Sequence, residues 1–527
     1  MVDPISVELF KNYLSAVAEE MGAVLQRTAF SPNIKERRDF SCAIFDRHGR
    51  MIAQAAHIPV HLGSMPLSVK AVIKELDLKE GEMAAVNDPF TGGTHLPDLT
   101  VVAPVYFEGE LLFYVANRAH HADVGGISAG SMPLSTSIFQ EGLVIPPVKC
   151  VVGGKVEENF LKLFSSNSRI PEERKGDLKA QIMANNVGIK RLAELMEKYS
   201  PEVVEAHGEA LLDYAERIMR RTIEEIPDGT YTYGDFLDDD GTGRKSIRIR
   251  VTVEVKGDEA KVDFTASDPQ VSGSVNAVKA IALSATLYAF RCLAPPEMPT
   301  NEGCLRPIKV ATKKGSVVDA EPPSAVSAGN VETSQRLVDV LLGALSKAVP
   351  DKIPAASQGT MNNVSFGGTD PESGRSFAYY ETIGGGAGAA NGYNGESGVQ
   401  THMTNTLNTP VEALEFQFPV MVTEYAIRKE SGGEGAFRGG NGIVREFLFL
   451  TDTEVTVISE RRLYRPYGLC GGEPGKAGKN WLIEKGGKKG VLPPKFTRLF
   501  RAGEKLRIET PGGGGWGFKE QVKPHRA

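Results

Sequence analysis

Paired cysteines are missing from this sequence. The five cysteines, Cys42, Cys150, Cys292, Cys304 and Cys470, are scattered over 527 residues with no C-x-x-C among them. That excludes a disulfide framework and a cysteine zinc site, and it suits a reducing compartment. Long apolar runs are missing as well: the most apolar segment, "AIALSATLYAF" at 280–290, falls far short of the roughly 20 residues a membrane helix needs. The N-terminus shows no apolar signal segment. No basic run occurs, and a net charge of -6 gives neither a nucleic-acid backbone nor an anionic lipid surface anything to attract. No G-x-x-x-x-G-K-[ST] loop is present to cradle a nucleotide phosphate, and no fixed-period repeat suggests a solenoid. These absences predict an unprocessed cytoplasmic chain with no nucleic-acid partner, no membrane partner and no ATP site of its own.

What is present reads as an α+β protein of roughly three to four domains on length alone. Asp3-Pro4 before "ISVELFKNYLSAVAEEMGAVLQRTA" predicts a long opening helix, since aspartate caps and proline fits the first turn. Strands dominate residues 38–120. "FSCAIFD" and "MIAQAA" flank Arg47-His48-Gly49-Arg50 as one hairpin, and "LTVVAPVYF" and "ELLFYVANRA" flank Glu108-Gly109 as a second. Helical spacing fills 171–225 with a break at Ser200-Pro201. Strands return over 230–268, with a hairpin turn at Lys256-Gly257-Asp258, and a further helix is expected at 331–348. Glycine-rich loops alternating with short strands then predict a compact β-rich end. The expected units are a metal-site α/β domain over 1–170, a helical segment over 171–228, a central α+β domain over 229–420 and a β-rich domain over 421–527, built on mixed sheets with packed helical layers.

"NDPFTGGTHLPDLT", residues 87–100, carries the chemistry. It holds His95 and Asp98 three residues apart, between prolines and after Gly92-Gly93, in a segment that cannot be a helix. Asp98 begins one strand of the second hairpin and His120 ends the other. With a two-residue loop at Glu108-Gly109, positions summing to 217 face each other, so Asp98 lies opposite Ala119 and beside His120. Strict alternation would favour His121 on the face of Asp98, so the ladder alone leaves His120 and His121 open. His95 can fold back over the same end, giving a His, Asp, His cluster on a rigid β platform. Two imidazoles and a carboxylate without thiolate suit Mn, Fe or Zn with positions left for water or substrate. The plainer alternative is a pair of strand-end histidines and one satisfied loop histidine. Clustering argues against it: of nine histidines, five (His57, His61, His95, His120 and His121) fall between 57 and 121.

Other signals are weaker. Gly512–Gly517 satisfies G-x-G-x-x-G after a strand, but only ten residues follow, too few for the crossover helix of a dinucleotide site. Asp238-Asp239-Asp240-Gly241 resembles a calcium loop, yet Phe236 stands where its first aspartate belongs. In "SAGNVETSQR", Gly329-Asn330 precedes an expected helix start whose amides could bind an oxyanion, or serve only as an ordinary cap. In "YETIGGGAG", Glu381 adjoins a glycine run where backbone could approach a ligand or a lid could hinge.

The chain resembles the hydantoinase B/oxoprolinase family, which comprises the B-type subunits of ATP-dependent hydantoinases, the C-terminal half of 5-oxoprolinase, and the alpha subunits of acetone carboxylase and its acetophenone-carboxylating relatives. The resemblance rests on "ERRDFSCAIFD", "HIPVHLGSM", "NDPFTGGTHLPDLTVVAPVY", "NRAHHADVGG", "NSRIPEERKGDL", "NEGCLRPI", "SAGNVETSQR", "ETIGGGAGA", "TNTLNTPVEALE", "PYGLCGGEPG" and "TPGGGGWG", spread from end to end. It implies a divalent ion (Mn, Zn or Fe) on His95, Asp98 and His120, thereby choosing His120 over His121, with Asp39 of the "RxDFS" strand as a further ligand in some members. His121, Asp123, Asn330 and Glu381 are the expected substrate-binding residues. ATP would be used by an A-type partner in a hetero-oligomer such as a heterotetramer, the partner phosphorylating a small-molecule substrate. The expected activity is hydrolysis of a cyclic amide (hydantoin, 5-oxoproline or a lactam). The alternatives are a ketone carboxylase subunit and a non-catalytic, metal-stabilised scaffold.

Overall fold

The structure, a computed structural model, describes residues 3–55 and 57–519. The last residue of "MIAQAA", Ala56, and the outermost ends of the first and last expected units lie outside the described residues. The opening helix α1 (Pro4–Thr28) starts as the sequence predicts: the Asp3 carboxylate accepts the Ser6 N–H and Pro4 fills the first turn. Its buried stripe, Val7, Phe10, Leu14, Val17, Met21 and Leu25, follows the helical period. A short turn, α2 (Pro32–Lys35), leads into the first sheet.

That sheet has seven strands in the order β2-β1-β5-β4-β3-β6-β7, all antiparallel: β1 (Phe40–Asp46), β2 (Met51–Gln54), β3 (Met83–Val86), β4 (Asp98–Phe107), β5 (Glu110–His120), β6 (Val148–Val152) and β7 (Lys155–Val156). Alternation sends its side chains to two faces. On one, Ala43, Phe45, Val86, Val102 and Ala116 form a core with Met65, Val69 and Val72 of α3 (Met65–Glu75). Sequence periodicity did not separate this helix from the strands around it. On the other face, Cys42, Ile44, Val101, Ala103 and Val115 join a core with α1 and α5 (Pro171–Tyr199). Before α5 lies α4 (Glu158–Ser166). After it, Ser200 at φ 66° makes the expected break before α6 (Pro201–Glu224).

A second sheet, β11-β10-β9-β8, comprises β8 (Gly229–Asp239), β9 (Lys245–Lys256), β10 (Glu259–Asp263) and β11 (Ile308–Ala311). The turn Gly257-Asp258 joins β9 to β10 as expected, with Lys256 facing Glu259. Two helices pack here, α7 (Lys279–Arg291) and α8 (Ser334–Leu345). The most apolar segment of the sequence is α7, and it is buried rather than membrane-spanning. One hydrophobic cluster joins all of these elements.

Two further sheets, β13-β12-β16-β19 and β14-β15-β20-β17-β18, enclose a second core rich in Phe366, Phe377, Phe418, Phe447, Phe449 and Phe500. They comprise β12 (Asn363–Thr369), β13 (Ser376–Glu381), β14 (Val420–Arg428), β15 (Gly442–Phe449), β16 (Thr453–Ile458), β17 (Lys479–Ile483), β18 (Lys489–Leu492), β19 (Lys495–Phe500) and β20 (Lys505–Glu509), with the short α9 (Val411–Gln417) against β14. The chain is thus α+β and multidomain, and its β-rich unit draws two strands from ahead of residue 421. The glycine runs are packed backbone on backbone. Segment 511–517 exchanges main-chain hydrogen bonds with Gly386, Ala389, Gly433, Phe437, Gly440 and Leu469. A Cβ at any of Gly512 to Gly515 would collide with a neighbouring carbonyl. The run after Glu381 is spent in this bundle too, so the hinge expected there is a close-packed joint.

Candidate metal centre

One irregularity in the β4–β5 hairpin decides which histidine meets Asp98. Glu108 and Gly109, at φ 50° and 83°, form the two-residue loop, and Phe107↔Glu110 and Tyr106↔Leu111 follow the register it sets. A bulge then leaves Leu112 unpaired, and from Val105↔Phe113 onward the register is offset by one. Asp98 therefore pairs directly with His120 instead of Ala119. The neighbouring strand continues the row: Phe40 pairs with Ala119, and the His120 N–H donates to the Asp39 carbonyl at 3.0 Å.

The loop before β4 folds His95 over the same end. Its turn is closed by the Asp98 N–H donating to the His95 carbonyl at 3.1 Å. Gly92, at φ 100°, passes so close to Leu67 that a side chain would not fit. Asp98 Oδ1 then lies 3.0 Å from His95 Nε2 and 3.1 Å from His120 Nδ1. These three buried residues offer ligand atoms that all lie within 4.8 Å of one another.

The donor pattern fits a cation. His95 Nδ1 is 3.3 Å from the Ser327 carbonyl, so that nitrogen carries a proton, and Nε2 faces a carboxylate oxygen with a second proton when no ion is bound and with its lone pair when one is. Two buried acceptors at such a distance need a proton or a cation between them. Ligands sharing an ion at bonds of about 2.1 Å stand about 3.0–3.4 Å apart, which matches the two distances to Oδ1. The other oxygen, Oδ2, is already occupied: Thr94 Oγ1 donates to it at 2.8 Å, and His61 Nε2 lies 3.4 Å away. Ser41 Oγ accepts the Ile58 N–H and lies 2.8 Å from His61 Nδ1, its remaining acceptor. The hydroxyl proton therefore goes to Nδ1, and Nε2–H faces Asp98. Oδ1 is the oxygen left for a metal ion.

Electrostatics follow from burial and this one carboxylate. Burial alone would raise the Asp98 carboxyl, but the His95 charge and hydrogen bonds from His120, His61 and His95 hold it well below the usual range. Burial depresses His61 and His120. Burial also opposes the charged form of His95, yet the Asp98 charge and hydrogen bond raise it overall. Of the three imidazoles around Asp98, His95 is the one whose site favours positive charge.

Beyond these ligands, Asp39, His61, Asp98, His120, Asn330 and Tyr380 line a common cavity. Tyr380 stacks on the His120 ring at 4.6 Å, and Asn330 Nδ2 lies 3.1 Å from His95 Nε2. His61 and Tyr380 were not singled out as site residues from sequence. For His61 the histidine clustering was the available signal; Tyr380 carries none. The remaining candidates lie elsewhere. His121 points to the opposite face of the sheet, hydrogen-bonded through Nε2 to Gln181 Oε1 of α5 at 2.9 Å; burial, with Arg174 adding to it, pushes it down to about 3. Asp123 accepts the N–H groups of Gly125, Gly130 and Arg169 and pairs with the Arg169 guanidinium at 3.0 Å. Glu381 pairs with Arg445 at 2.7 Å inside the sandwich and accepts from Tyr379 and Asn408. Asp123 and Glu381 thus stand in hydrogen-bonded and ion-paired networks of the protein, whereas His121 keeps Nδ1 buried without a protein partner. His57 accepts the Cys42 N–H and is a core residue, held at about 4 by burial. Asn330 sits in a one-turn π-helix, Gly329–Thr333, rather than at a simple helix N-terminus.

A sequence profile described as Hydantoinase B/oxoprolinase matches residues 3–519. An uncharacterized protein of Methanocaldococcus jannaschii, MJ0963, is 43% identical over 98% of this chain and 91% of its own length. A 5-oxoprolinase of Dictyostelium discoideum is 42% identical over 99% of this chain but only 41% of its own length, so the chain spans less than half of that relative. Among solved structures, the ATP-dependent caprolactamase from Pseudomonas jessenii is 29% identical with a TM-score of 0.90, covering 98% of this chain and 92% of its own. Nucleotide-free acetone carboxylase has a TM-score of 0.90 at 18% identity, covering 98% and 76%, a likeness of fold alone.

Proposed function

Because the chain belongs to the hydantoinase B/oxoprolinase family, we propose that it is the metal-binding, B-type part of an ATP-dependent cyclic-amide hydrolase. It completes ring opening of a hydantoin, 5-oxoproline or lactam substrate that an A-type partner has phosphorylated. The names of two similar proteins, 5-oxoprolinase and ATP-dependent caprolactamase, both denote ring amides and support that substrate class. The observation that carries the proposal is the buried set His95, Asp98 and His120 around one carboxylate oxygen.

Those three residues would hold Mn, Zn or Fe, with Asp39 beside them in the cavity wall. A bound divalent ion supplies Lewis acidity toward the carbonyl-derived group and lowers the pKa of a water. The chain's own residues do the rest. Ser327 holds His95 in the tautomer that presents Nε2, and Thr94 and His61 turn Asp98 so that Oδ1 faces inward. Tyr380 covers one face of His120. The polar groups stand preorganised in a site closed to bulk water, which strengthens their effect on developing charge. The sequence carries no P-loop, which supports placing ATP use on the partner.

The test is purification of the chain with an A-type partner. Elemental analysis should find about one divalent ion per chain. ATP turnover should be coupled to opening of 5-oxoproline, hydantoin or caprolactam, without need of bicarbonate. Bicarbonate-dependent consumption of acetone or acetophenone instead, or full activity of metal-free protein, would overturn the proposal.

A further inference from the structure

Strand β14 (Val420–Arg428) is an edge that is only half guarded. Among the described residues it pairs with β15 alone, so its other side presents backbone N–H and C=O groups, a template for pairing with another chain. The first half of that side is covered: α9 lies against it, Glu415 Oε1 accepts the Val422 N–H at 2.8 Å, and a bulge at Thr423 interrupts the ladder. The second half, Glu424–Arg428, contains neither proline nor lysine, the residues that usually guard an edge. Apolar side chains are open to solvent along it. Tyr425 and Ile427 are 49% and 45% exposed, and Met421 and Phe416 flank them at 43% and 91%.

The two faces of this half-strand differ in chemistry. Tyr425 pairs with Arg445 and Ile427 with Ile443 on the face that looks into the sandwich, whereas Glu424, Ala426 and Arg428 stand on the outer face opposite Glu446, Val444 and Gly442. Val422 shares the inner face and sends its N–H away from β15, so Tyr425 and Ile427 send theirs to the open edge as well. An antiparallel neighbour must therefore bond to Tyr425 and Ile427 and leave Ala426 between them as a non-hydrogen-bonded position. A second β14, turned about a two-fold axis through Ala426, meets that condition with complementary side chains. It sets Tyr425 opposite Ile427 on the inner face and Glu424 opposite Arg428 on the outer one. Moving the axis to Tyr425 or Ile427 sets Glu424 against Ala426 or Glu430 instead. With the axis at Ala426, the new acid–base pair joins the ion pairs Glu424–Arg507 and Arg428–Glu509 into one row.

We propose that Glu424–Arg428 is an interface for a second copy of this chain, formed by antiparallel pairing of β14 with its own copy about a two-fold axis at Ala426. The pairing continues one sheet across both copies, and it needs neither metal nor nucleotide. The joint stands close to the candidate metal centre: Tyr425 OH donates to Asn408 Oδ1 at 3.2 Å, and Asn408 Nδ2 donates at 2.8 Å to the carbonyl of Thr382, a wall residue of the cavity.

Light scattering on the full chain over a dilution series should show a mass rising from one chain to two. Ala426→Lys, which brings two like charges together across the axis, should keep the monomer mass throughout. Ala426 is exposed, so the variant should fold and melt like the native monomer. A second variant reads the register. With the exposed Cys292 and Cys470 changed to serine, Ala426→Cys should give a disulfide-linked dimer under mild oxidation, because facing Cα atoms about 4.5 Å apart lie within the roughly 4.4–6.8 Å that a disulfide spans. Thr423→Cys, whose two copies stand about 20 Å apart along the same ladder, should not. A monomer at every concentration, a dimer that Ala426→Lys leaves intact, or no cross-link through Ala426→Cys would each overturn the assignment. Loss of the Ala426→Cys cross-link on adding an A-type partner would assign the edge to that partner and overturn it too.

Discussion

Replacing Asp98 by asparagine should abolish metal binding while leaving the architecture of the metal-free chain in place. In the native site Oδ2 accepts a hydrogen bond from Thr94 Oγ1 at 2.8 Å and faces His61 Nε2–H, so an asparagine must place its carbonyl oxygen there. Its NH₂ then occupies the Oδ1 position, 3.0 Å from His95 Nε2 and 3.1 Å from His120 Nδ1, where it donates to nitrogen lone pairs and cannot ligate a cation. Each such hydrogen bond contributes about 1 kcal/mol, but the carboxylate that the surrounding imidazoles hold well below the usual range is lost, so the metal-free variant should be less stable than the native chain near neutral pH, where that carboxylate is charged. The native protein, by contrast, should gain about 2.7 kcal/mol when free Mn or Zn stands at 100 times its dissociation constant; the variant should gain none. Urea unfolding with and without the ion, alongside elemental analysis, measures both. Full metal content with undiminished ion-induced stabilisation in Asp98→Asn would refute the assignment of Oδ1 as the ligand oxygen.

Two other substitutions separate ligands from their supports. His121→Ala should keep the metal while losing about 1–3 kcal/mol, because Gln181 Oε1 is left without its donor. Since burial holds His121 at about 3, below its unfolded value of about 6.5, its contribution is present above pH 6.5 and lost as pH falls toward 3; denaturation across pH 4–7 should show that loss reduced in the variant. Glu141 Oε1 accepts from Ser135 Oγ and from the N–H groups of Val326 and Ser327 at 2.6, 2.9 and 3.0 Å, holding the residue whose carbonyl orients His95. Glu141→Ala should therefore weaken metal affinity about 10–100-fold in chelator competition, and Glu141→Gln, which keeps the acceptor, should restore most of it. Burial raises Glu141 to about 7, so what its protonated form contributes is fully present below about pH 4.5 and lost as pH rises through 7. Glu141→Gln should flatten that decline.

The local features of this protein were legible because short-range chemistry dictates them. Asp3-Pro4 starts a helix wherever the following residues keep a helical stripe, and Glu108-Gly109 closes a hairpin because its two residues accept positive φ. Prolines and glycines around His95 force a turn that no helix could make. Those features bring His95 and Asp98 together and put the end of β5 beside them, which is why the cluster could be expected without coordinates. Tertiary structure decided the rest. A single unpaired residue, Leu112, reverses the side-chain alternation that would have chosen His121, and nothing local in "ELLFYVANRAH" announces it. The orientation of Asp98 depends on His61, and the cavity wall on Asn330 and Tyr380, which approach from 37, 232 and 282 positions away along the chain. Periodicity describes one element at a time, so it is silent on contacts between elements. The glycine runs show the same limit: their composition admits a ligand loop, a hinge or a packed bundle equally, and only the carbonyls pressed against Gly512 to Gly515 make them a bundle.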